Sequence, residues 1–465
     1  MSKYNYDVLV VGSGPGGKHA AIAAAHLGKK VGIIERKSKL GGVSLQTGTI
    51  PSKALREAAY LHSRFSARGM RTVASKSTNI SDSEFLQEAI HTKNTIVDKQ
   101  EAILLNQLMR NGITILPGEA SFKDEHTLEI LSPKGNKDTL SADIIILATG
   151  SRARRPKEIP FECDNVLDSS SILKLSRLPD SLAVIGGGVI ACEFATIFAM
   201  LGVKITIIDS HENLLAYMDS DITHILEQHM LEMGINITLS TNITAVESDN
   251  KNVTIHTDGE EINTSHILYA IGRIPNVELL KIENAGLKAE DQGWIPVSEN
   301  SQTCVDHIYV IGDLAGRPSL ASTAMEQGRR AISHAYSKHY KHLSSPLPMA
   351  IYTIPELSYV GATELELKQD GVDYVSGHAS YSESARGQII GANNGYLKIL
   401  TDRNTLRVLG VHIIGETASE LIHVGQIVMG YNGTVEDLAN NVYNYPTLAE
   451  CYKSAALDCL NKLEQ

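Results

Sequence analysis

The sequence predicts an α/β protein with two Rossmann-like dinucleotide-binding domains and a C-terminal α+β domain. Two stretches, 7–35 and 182–209, each run from an apolar strand through a glycine-rich turn and a helix to a strand that precedes or ends in an acidic residue. From about Pro346 the pattern changes to strands followed by helices, which is typical of an α+β domain.

Length and composition are those of a globular protein with several cores. A chain of 465 residues exceeds what one hydrophobic core usually supports. The hydrophobic fraction of 43% and the charged fraction of 20% are ordinary for such proteins. The net charge of -11 argues against nucleic acid as a partner, because phosphate backbones need a basic surface. Anionic cofactors remain possible, since backbone amides can hold them.

The sequence contains no apolar run long enough to suggest a membrane span, which needs roughly 18 residues. Residues 1–7 lack the basic and apolar segments of a signal peptide. We therefore expect a cytoplasmic protein. The five cysteines form no close pairs, which predicts structural thiols and neither a disulfide framework nor a metal site. They are Cys163, Cys192, Cys304, Cys451 and Cys459.

The first fingerprint contains an apolar strand that leads into the glycine-rich turn 12–17 and an alanine-rich helix. Gly12 permits the tight turn, Gly14 lets the backbone approach a pyrophosphate, and Gly17 allows close packing of helix and strand. The amides and the dipole at the helix N-terminus favour phosphate binding. Glu35, at the end of the next strand, is placed to accept hydrogen bonds from a ribose.

Two helices are predicted between the fingerprints. The first runs from Lys53 towards Gly69, and the second begins near Ser81 and ends at Asn111. Ser81 and Glu84 have the spacing of a capping box at the start of the second helix.

The second fingerprint repeats the first pattern. The turn contains Gly186 and Gly188, Ala191 stands in place of the third glycine, and Asp209 follows the next strand. Two complete fingerprints in one chain predict two bound dinucleotides, although an internal duplication with one silent site is the alternative.

The acidic residue of the second fingerprint bears on the choice of coenzyme. Asp209 would accept a hydrogen bond from a free 2′-hydroxyl group and repel a 2′-phosphate. Ser210, His211 and Glu212 provide no arginine for that phosphate. We therefore expect NAD(H) to be preferred to NADP(H). A protonated His211 would assist a phosphate, but the simpler interpretation is an exposed polar loop residue.

Strands and helices complete the predicted domains. A helix is expected over 221–233. The strand Ile308 to Ile311 leads to Asp313. Alternating apolar residues over 396–400 and 408–414 predict strands of the C-terminal domain, followed by helices around 418–429 and 448–463.

The stretch 41–53 resembles the segment that carries two redox cysteines in flavoprotein disulfide reductases. The frame Gly41, Gly42, Gly48 and Ile50 to Lys53 is present, but Ser44 and Thr49 occupy the cysteine positions. A hydroxyl group cannot cycle between thiolate and disulfide. The whole chain thus resembles the FAD-dependent pyridine nucleotide-disulfide oxidoreductase family, with its glutathione-reductase-like fold, and above all the soluble transhydrogenase branch of that family. The resemblance implies an FAD-binding domain formed by 1–150 and 276–345, an NAD(P)-binding domain formed by 151–275, and a dimerisation domain formed by 346–465.

The resemblance implies a set of cofactor-binding residues for FAD and for a pyridine nucleotide. For FAD it implies Gly12, Gly14, Gly17, Glu35, Gly42, Thr49, Lys53, Thr149, Gly150 and Asp313. For the pyridine nucleotide it implies Gly186, Gly188, Glu193, Asp209 and Gly272.

Four residues match positions near the family's reaction centre. Lys53 and Glu193 match a lysine–glutamate pair beside the flavin, with purely structural pairing as the alternative. Tyr445 stands where disulfide reductases have a histidine base, which Glu450 would orient. The loss of a thiol-activating base is consistent with the loss of the thiols. The resemblance places Tyr445 across the interface of a homodimer, where packing is the alternative to a catalytic role.

Three functions are compatible with the sequence. The first is transfer of hydride between pyridine nucleotides through flavin N5, without a redox disulfide. The second is an NAD(P)H dehydrogenase that reduces a quinone or a dye-like acceptor. The third is an NADH-binding flavoprotein that senses redox state. Disulfide reduction is not expected.

Overall fold

The structure is a computed structural model that describes residues 3–67, 82–316, 318–338 and 346–464. The side chains of residues 63–67 and 82–84 are not part of that description. The predicted helix end at Gly69 and the proposed capping residue Ser81 lie outside the described residues. Within them, no helix has both the length and the apolar character needed to cross a membrane.

The first part of the chain builds a sheet around the first fingerprint. Its elements are β1 (Tyr6–Val11), α1 (Pro15–His26), β2 (Val31–Glu35), α2 (Gly42–Gln46), α3 (Thr49–Ala67), α4 (Asp82–Arg110), β3 (Thr114–Pro117), β4 (Glu119–Asp124), β5 (Thr127–Leu131) and β6 (Lys137–Leu147). β1 pairs in parallel with β2 and with the second half of β6. The first half of β6 pairs antiparallel with β5, and β5 pairs with β4. The parallel strands are buried on both faces, as their continuous apolar runs predict.

The second part repeats this plan and adds a small antiparallel sheet. Its elements are β7 (Ser151–Ala153), β8 (Val166–Asp168), β9 (Ser181–Ile185), α5 (Val189–Met200), β10 (Lys204–Ile208), α6 (Ser220–Glu232), β11 (Asn236–Thr238), β12 (Ile243–Ser248), β13 (Val253–Thr257), β14 (Glu261–Thr264), β15 (His266–Tyr269) and β16 (Arg273–Pro275). The parallel sheet has the order β11-β10-β9-β15-β8. β7 and β16, the two chain segments that enter and leave this part, pair with each other.

The chain then returns to the first sheet. β17 (Ile308–Val310) pairs in parallel with β6, and α7 (Ala321–Ala335) packs against α1. The two helices approach closely, because a Cβ atom at Gly328 would lie only 2.5 Å from the carbonyl oxygen of Gly16. This contact fixes the helix that carries the first glycine turn.

The last part is an antiparallel sheet with helices. Its elements are β18 (Met349–Ile351), β19 (Leu357–Gly361), α8 (Glu364–Gln369), β20 (Tyr374–Ser380), α9 (Ala385–Ile390), β21 (Tyr396–Asp402), β22 (Val408–Ile414), α10 (Ala418–Gly430), α11 (Val435–Asn440) and α12 (Glu450–Leu463). The order is β18-β19-β22-β21-β20.

The alternating apolar pattern expected in this sheet is not matched by alternating burial. β21 is buried at every position from Leu397 to Thr401. The reason is that the sheet is covered on both faces. α12 packs on β20 and β21, whereas α6 from the preceding part packs on β22.

Candidate active site

The first glycine turn combines two closely packed positions with one open position. Gly12 has φ +105°, and a Cβ atom there would collide with the carbonyl oxygen of Ala148. A Cβ atom at Gly17 would collide with the carbonyl oxygen of Gly12. Gly14, in contrast, has no heavy atom within 4 Å of its Cβ position and precedes α1 without a side-chain cap. The backbone is therefore accessible where α1 begins, as a pyrophosphate requires.

Glu35 is anchored beside this turn. One carboxylate oxygen accepts hydrogen bonds from the backbone amide (3.0 Å) and the hydroxyl (2.6 Å) of Ser13, and the other accepts one from the amide of Lys37 (3.0 Å). A carboxylate has about four acceptor sites, so one remains for a ribose hydroxyl. The role of Ser13 could not be found in the sequence, because the fingerprint leaves that position unspecified.

The segment with the substituted cysteine positions lies against the same turn. A Cβ atom at Gly42 would lie 3.0 Å from the Cα atom of Gly14, and both Gly41 and Gly42 have positive φ. Ser44 lies half-buried in α2, and Thr49 is the exposed first residue of α3. The frame of a flavin-side redox segment is thus formed without its sulfur atoms.

Lys53 and Glu193 form an ion pair between the first and second parts of the chain. The ammonium group of Lys53 lies 2.8 and 2.7 Å from the two carboxylate oxygens of Glu193. The side chain of Lys53 is 26% exposed and that of Glu193 only 6%. Tyr352, from the last part, donates its backbone amide to Glu193 (2.9 Å) and places its ring 4.7 Å from the ammonium group. A backbone donor such as Tyr352 has no signature in the sequence.

Thr149 and Gly150 lie at a junction with residue Asn276. The hydroxyl of Thr149 donates to the Asn276 carbonyl (2.8 Å), and the Asn276 side-chain amide donates to the Thr149 carbonyl (2.9 Å). Gly150 has φ +67° and nothing within 4 Å of its Cβ position. This junction keeps an open backbone at the end of β6.

Asp313 follows β17 and belongs to a network with Ser151 and Arg273. The hydroxyl of Ser151 donates to Asp313, and Arg273 donates to the Ser151 hydroxyl (2.8 Å). The guanidinium lies 3.9 Å from Asp313. Burial lowers the pKa of Arg273 and the charge of Asp313 opposes that effect, so the guanidinium keeps its proton. Asp313 could be predicted from the sequence, but neither of its partners could.

The second glycine turn has the same division between closed and open positions. Gly186 has φ +114°, with the carbonyl oxygen of Ala270 3.3 Å from its Cβ position. Gly188 precedes α5 without a side-chain cap, and both it and Gly272 are open around their Cβ positions. Ala191 is buried in place of the third glycine.

Asp209 lies directly after β10, beside the second turn. One oxygen, Oδ2, would lie 2.5 Å from a Cβ atom at Gly187. The other, Oδ1, accepts hydrogen bonds from the backbone amide (3.0 Å) and the ring Nδ1 (2.7 Å) of His211. The Asp209 side chain is 13% exposed and that of His211 is 73% exposed. Both residues were singled out from the sequence, but the contact between them could not be predicted from it.

The five cysteines are all free, and none replaces the missing pair. Cys192 lies in the first turn of α5 and is buried. Burial, with the charges of Glu193 and Asp209, raises the pKa of its thiol well above the usual range. A buried thiol of this kind is unreactive.

Tyr445 and Glu450 lie apart from the Lys53–Glu193 pair. Tyr445 is 76% exposed on the segment before α12, and Glu450 is the first residue of that helix. Within the described chain no hydrogen bond joins the two side chains, and neither contacts Lys53. Their predicted roles depend on a second subunit and remain predictions.

Known proteins match nearly the full length of the chain. The pyridine nucleotide-disulphide oxidoreductase family model matches residues 6–328, and the model of that family's dimerisation domain matches residues 347–456. The chain is 42% identical over 461 residues to a soluble pyridine nucleotide transhydrogenase from Mycobacterium tuberculosis, covering 98% of each chain. It is 41% identical over 468 residues to one from Vibrio cholerae, covering 99% of each.

Solved structures agree in fold. The HOCl-induced flavoprotein disulfide reductase RclA from Escherichia coli superimposes with a TM-score of 0.88 at 25% identity, over 97% of this chain and 99% of that one. LpdA from Mycobacterium tuberculosis gives a TM-score of 0.87 at 26% identity over the same shares. The chain therefore belongs to the pyridine nucleotide-disulphide oxidoreductase family, with a glutathione-reductase-like fold and with five cysteines that form no disulfide.

Proposed function

We propose that this protein is an FAD-dependent transhydrogenase that transfers hydride between pyridine nucleotides without a redox disulfide. One observation carries the proposal: Ser44 and Thr49 occupy the redox positions while the ion pair of Lys53 and Glu193 beside them is complete. Relatives named soluble pyridine nucleotide transhydrogenase, 41–42% identical over the full chain, support it.

The residues around the first turn fit FAD. Gly14 leaves the backbone open at the N-terminus of α1, where a pyrophosphate would lie, and Gly42 packs closely against Gly14 because it has no side chain. Glu35 would hold the adenosine ribose, and Asp313 would hold the ribityl chain. FAD bound here would accept hydride from one pyridine nucleotide and donate it to another.

The Lys53–Glu193 pair would set the electrostatics next to the flavin. Glu193 and the Tyr352 ring hold the ammonium group in one place, so a positive charge is available without rearrangement. Because Glu193 is nearly buried, its negative charge needs a partner, and the ammonium group of Lys53 provides it.

The second turn would bind the pyridine nucleotides one after the other. Gly188 offers an open backbone at the N-terminus of α5. Gly272, which follows β15 in the chain, also has an open backbone. Asp209 would bind the adenosine ribose and favour NAD(H) over NADP(H). Exclusion of water and alignment of the nucleotide would be the remaining contributions of the protein.

We also propose a homodimer and a division of the chain into the four segments predicted from the sequence. Support for the segments comes from the sheets, because 1–150 and 276–345 share one sheet whereas 151–275 and 346–465 have sheets of their own, and support for the dimer comes from the dimerisation-domain match. Val442 and Tyr445 are large exposed side chains on the segment before α12. They would be covered in a dimer that places Tyr445 near the partner's flavin.

A turnover assay tests the function. Catalytic amounts of holoprotein are mixed with NADPH and thio-NAD, and thio-NADH is followed by its own absorbance. We expect many turnovers per flavin and no activity with a disulfide substrate. Reduction of a benzoquinone with little thio-NADH would instead identify a quinone reductase and overturn the proposal.

A variant with a matched control links turnover to the second site. Asp209→Asn removes the charge that would repel a 2′-phosphate, so its preference should shift towards NADPH by roughly tenfold. Asp258→Asn is the control, because Asp258 is an exposed carboxylate of the same part of the chain and, among the described residues, its side chain bonds only Asn242. Unchanged discrimination in Asp209→Asn would contradict the assignment of this carboxylate.

A further inference from the structure

We propose that His211 is a proton-controlled specificity residue, which admits the 2′-phosphate of NADP(H) when its ring is protonated. The proposal rests on the proposed function, because it assumes that the second turn binds a pyridine nucleotide. It concerns how one site with a carboxylate serves both coenzymes.

The contact with Asp209 fixes which ring nitrogen carries a proton. An ionised carboxylate can only accept, so the 2.7 Å contact requires that Nδ1 of His211 donates to Oδ1 of Asp209. The backbone amide of His211 donates to the same oxygen (3.0 Å), which holds the ring against the carboxylate. Nε2 has no partner within the described residues, and the side chain is 73% exposed.

The protonation state of Nε2 therefore decides what the loop presents to a ligand. In the neutral ring Nε2 is an acceptor, and with Asp209 it offers a 2′-phosphate only acceptors and negative charge. In the imidazolium Nε2 becomes a donor, and the positive charge of the ring offsets the negative charge of Asp209. The ring then bridges two anions, with Nδ1 bonded to Asp209 and Nε2 available to the phosphate.

NAD(H) does not need this proton. Its free 2′-hydroxyl would donate to Oδ2 of Asp209, the oxygen that faces Gly187 and accepts nothing from His211. Binding of NAD(H) would consequently be much less sensitive to protonation of the ring. The two oxygens of Asp209 thus divide the tasks of holding His211 and binding ribose.

Few other titratable groups among the described residues face this loop. The segments that bond to its backbone are the turn 186–188 and residues 238–241, which carry no ionisable side chains. Glu212 is exposed on the loop itself, and Cys192 lies beneath Asp209 as an uncharged thiol. Glu193, the next residue of α5, is paired with Lys53. His211 is thus the side chain of this loop that can carry a positive charge.

Dissociation constants measured at two pH values test the proposal. Holoprotein is mixed anaerobically with NADPH alone or NADH alone, at about pH 6 and about pH 8, and each constant is obtained from the concentration dependence of flavin reduction. We expect the ratio of the NADPH constant to the NADH constant to rise roughly tenfold with pH, the effect of one charge-assisted hydrogen bond.

Two substitutions at His211 separate the effect of protonating its ring from the effect of protonating the 2′-phosphate of the ligand. The 2′-phosphate itself ionises near pH 6, so part of the pH dependence belongs to NADPH. His211→Asn keeps an amide donor for Asp209 but cannot become charged, and its ratio should show only the phosphate contribution. His211→Arg is always charged, and its ratio should be low at both pH values.

His224→Asn is the matched control, since His224 is exposed on α6 and its ring bonds only Gln228 in the part of the chain that the structure describes. It should retain the pH dependence of the parent protein. The proposal is overturned if His211→Asn also retains it in full. Because each nucleotide is tested alone, this result stands whether or not hydride passes to a second nucleotide; failure of that transfer would contradict only the proposed function.

Discussion

At the scale of single residues, the site depends on charges that are held in place by partners from distant parts of the chain. Lys53 and Glu193 come from helices that follow the two glycine-containing segments, and their ion pair spans 140 residues of sequence. Tyr352 adds a donor and a ring from the last part of the chain. The ion pair therefore depends on the packing of three parts of the chain against one another.

Substitution of Lys53 by methionine should affect both stability and reactivity. The nearly buried Glu193 would keep only the amide of Tyr352, which we expect to cost about 3 kcal/mol in the free energy of unfolding. Loss of a fixed positive charge should slow flavin reduction by NADH by at least roughly tenfold. Urea unfolding and stopped-flow absorbance measure the two effects.

The control for this substitution is Lys137→Met. Lys137 pairs with Glu129 at 3.0 Å, but the side chains are 62% and 33% exposed, so the expected loss is below about 1 kcal/mol. A reduction rate in Lys53→Met equal to that of the control would show that Lys53 has no electrostatic role.

Residues in motifs could be predicted from the sequence, but their partners could not. Both glycine turns, the two acidic residues and the Lys53–Glu193 pair belong to patterns with a fixed order along the chain. Ser13 and Tyr352 act partly through the backbone, and backbone groups are the same at every position except proline. The contact of His211 with Asp209 depends on a rotamer that the sequence does not specify.

At the scale of secondary structure, the strand–turn–helix unit explains why each glycine is required. In the first unit the Cβ position of Gly17 is blocked by the carbonyl of Gly12, whereas that of Gly14 is open. The backbone of Gly14, with φ -62° and ψ -179°, is accessible to any residue. Gly17 is therefore needed for folding of the turn, and Gly14 would be needed only by a ligand.

Alanine substitutions at these glycines should separate the two requirements. Gly14→Ala should change the unfolding free energy of the apoprotein by less than about 0.5 kcal/mol, yet it should weaken FAD binding because the methyl group occupies the path of the pyrophosphate. Gly17→Ala should destabilise the apoprotein itself by about 2 kcal/mol or more. The measurements are flavin content after purification and urea unfolding of the apoprotein. Full flavin content in Gly14→Ala would contradict the assignment of this turn to FAD.

Elements with strong patterns were predicted well, and short ones were missed. Both fingerprints appear as β1-α1-β2 and β9-α5-β10. The short helices α8, α9 and α11 were not predicted, because six-residue helices depend on capping and tertiary contacts rather than on periodicity. The continuous burial of β21 was missed because the covering helices come from both sides in three dimensions.

At the scale of the whole molecule, a buried cluster of charges joins the second and last parts of the chain. Lys398 in β21 is 2% exposed and lies 2.9 Å from Asp219, 2.6 Å from Asp221 and 2.6 Å from Glu364. Asp219 and Asp221 belong to the start of α6, and Glu364 belongs to α8. Since Lys398 and Asp219 are 179 residues apart, no local pattern indicated their contact.

The cluster predicts a specific dependence of stability on pH. Burial alone would raise the pKa of Glu364, but hydrogen bonds from Lys398, Tyr374 and Lys368 lower it from 4.5 to about 2. A carboxyl group whose pKa is lower in the folded state than in the unfolded state stabilises the folded state at pH values above the unfolded-state pKa. The contribution of Glu364 should therefore be complete above about pH 5 and should be lost as the pH falls from about 4.5 to about 2.

Lys398→Met should reduce the free energy of unfolding by about 3–5 kcal/mol at neutral pH, because three carboxylates lose their common partner. Its stability should also fall less steeply than that of the parent protein between about pH 4.5 and pH 2. Lys462→Met, which breaks a partly exposed pair with Asp458, is the control and should cost below about 1 kcal/mol. Equal slopes in the parent protein and Lys398→Met would show that the cluster does not control acid stability.

The central claim, that hydride passes between pyridine nucleotides without a thiol, is tested most directly by following both half-reactions in one experiment. The holoprotein is reduced anaerobically with one equivalent of NADH, then mixed in a stopped-flow instrument with thio-NADP, and flavin and thionicotinamide absorbance are recorded together. We predict that flavin reoxidation and thio-NADPH formation proceed at the same rate and with equal amplitudes. Flavin that stays reduced in the presence of thio-NADP would contradict the claim.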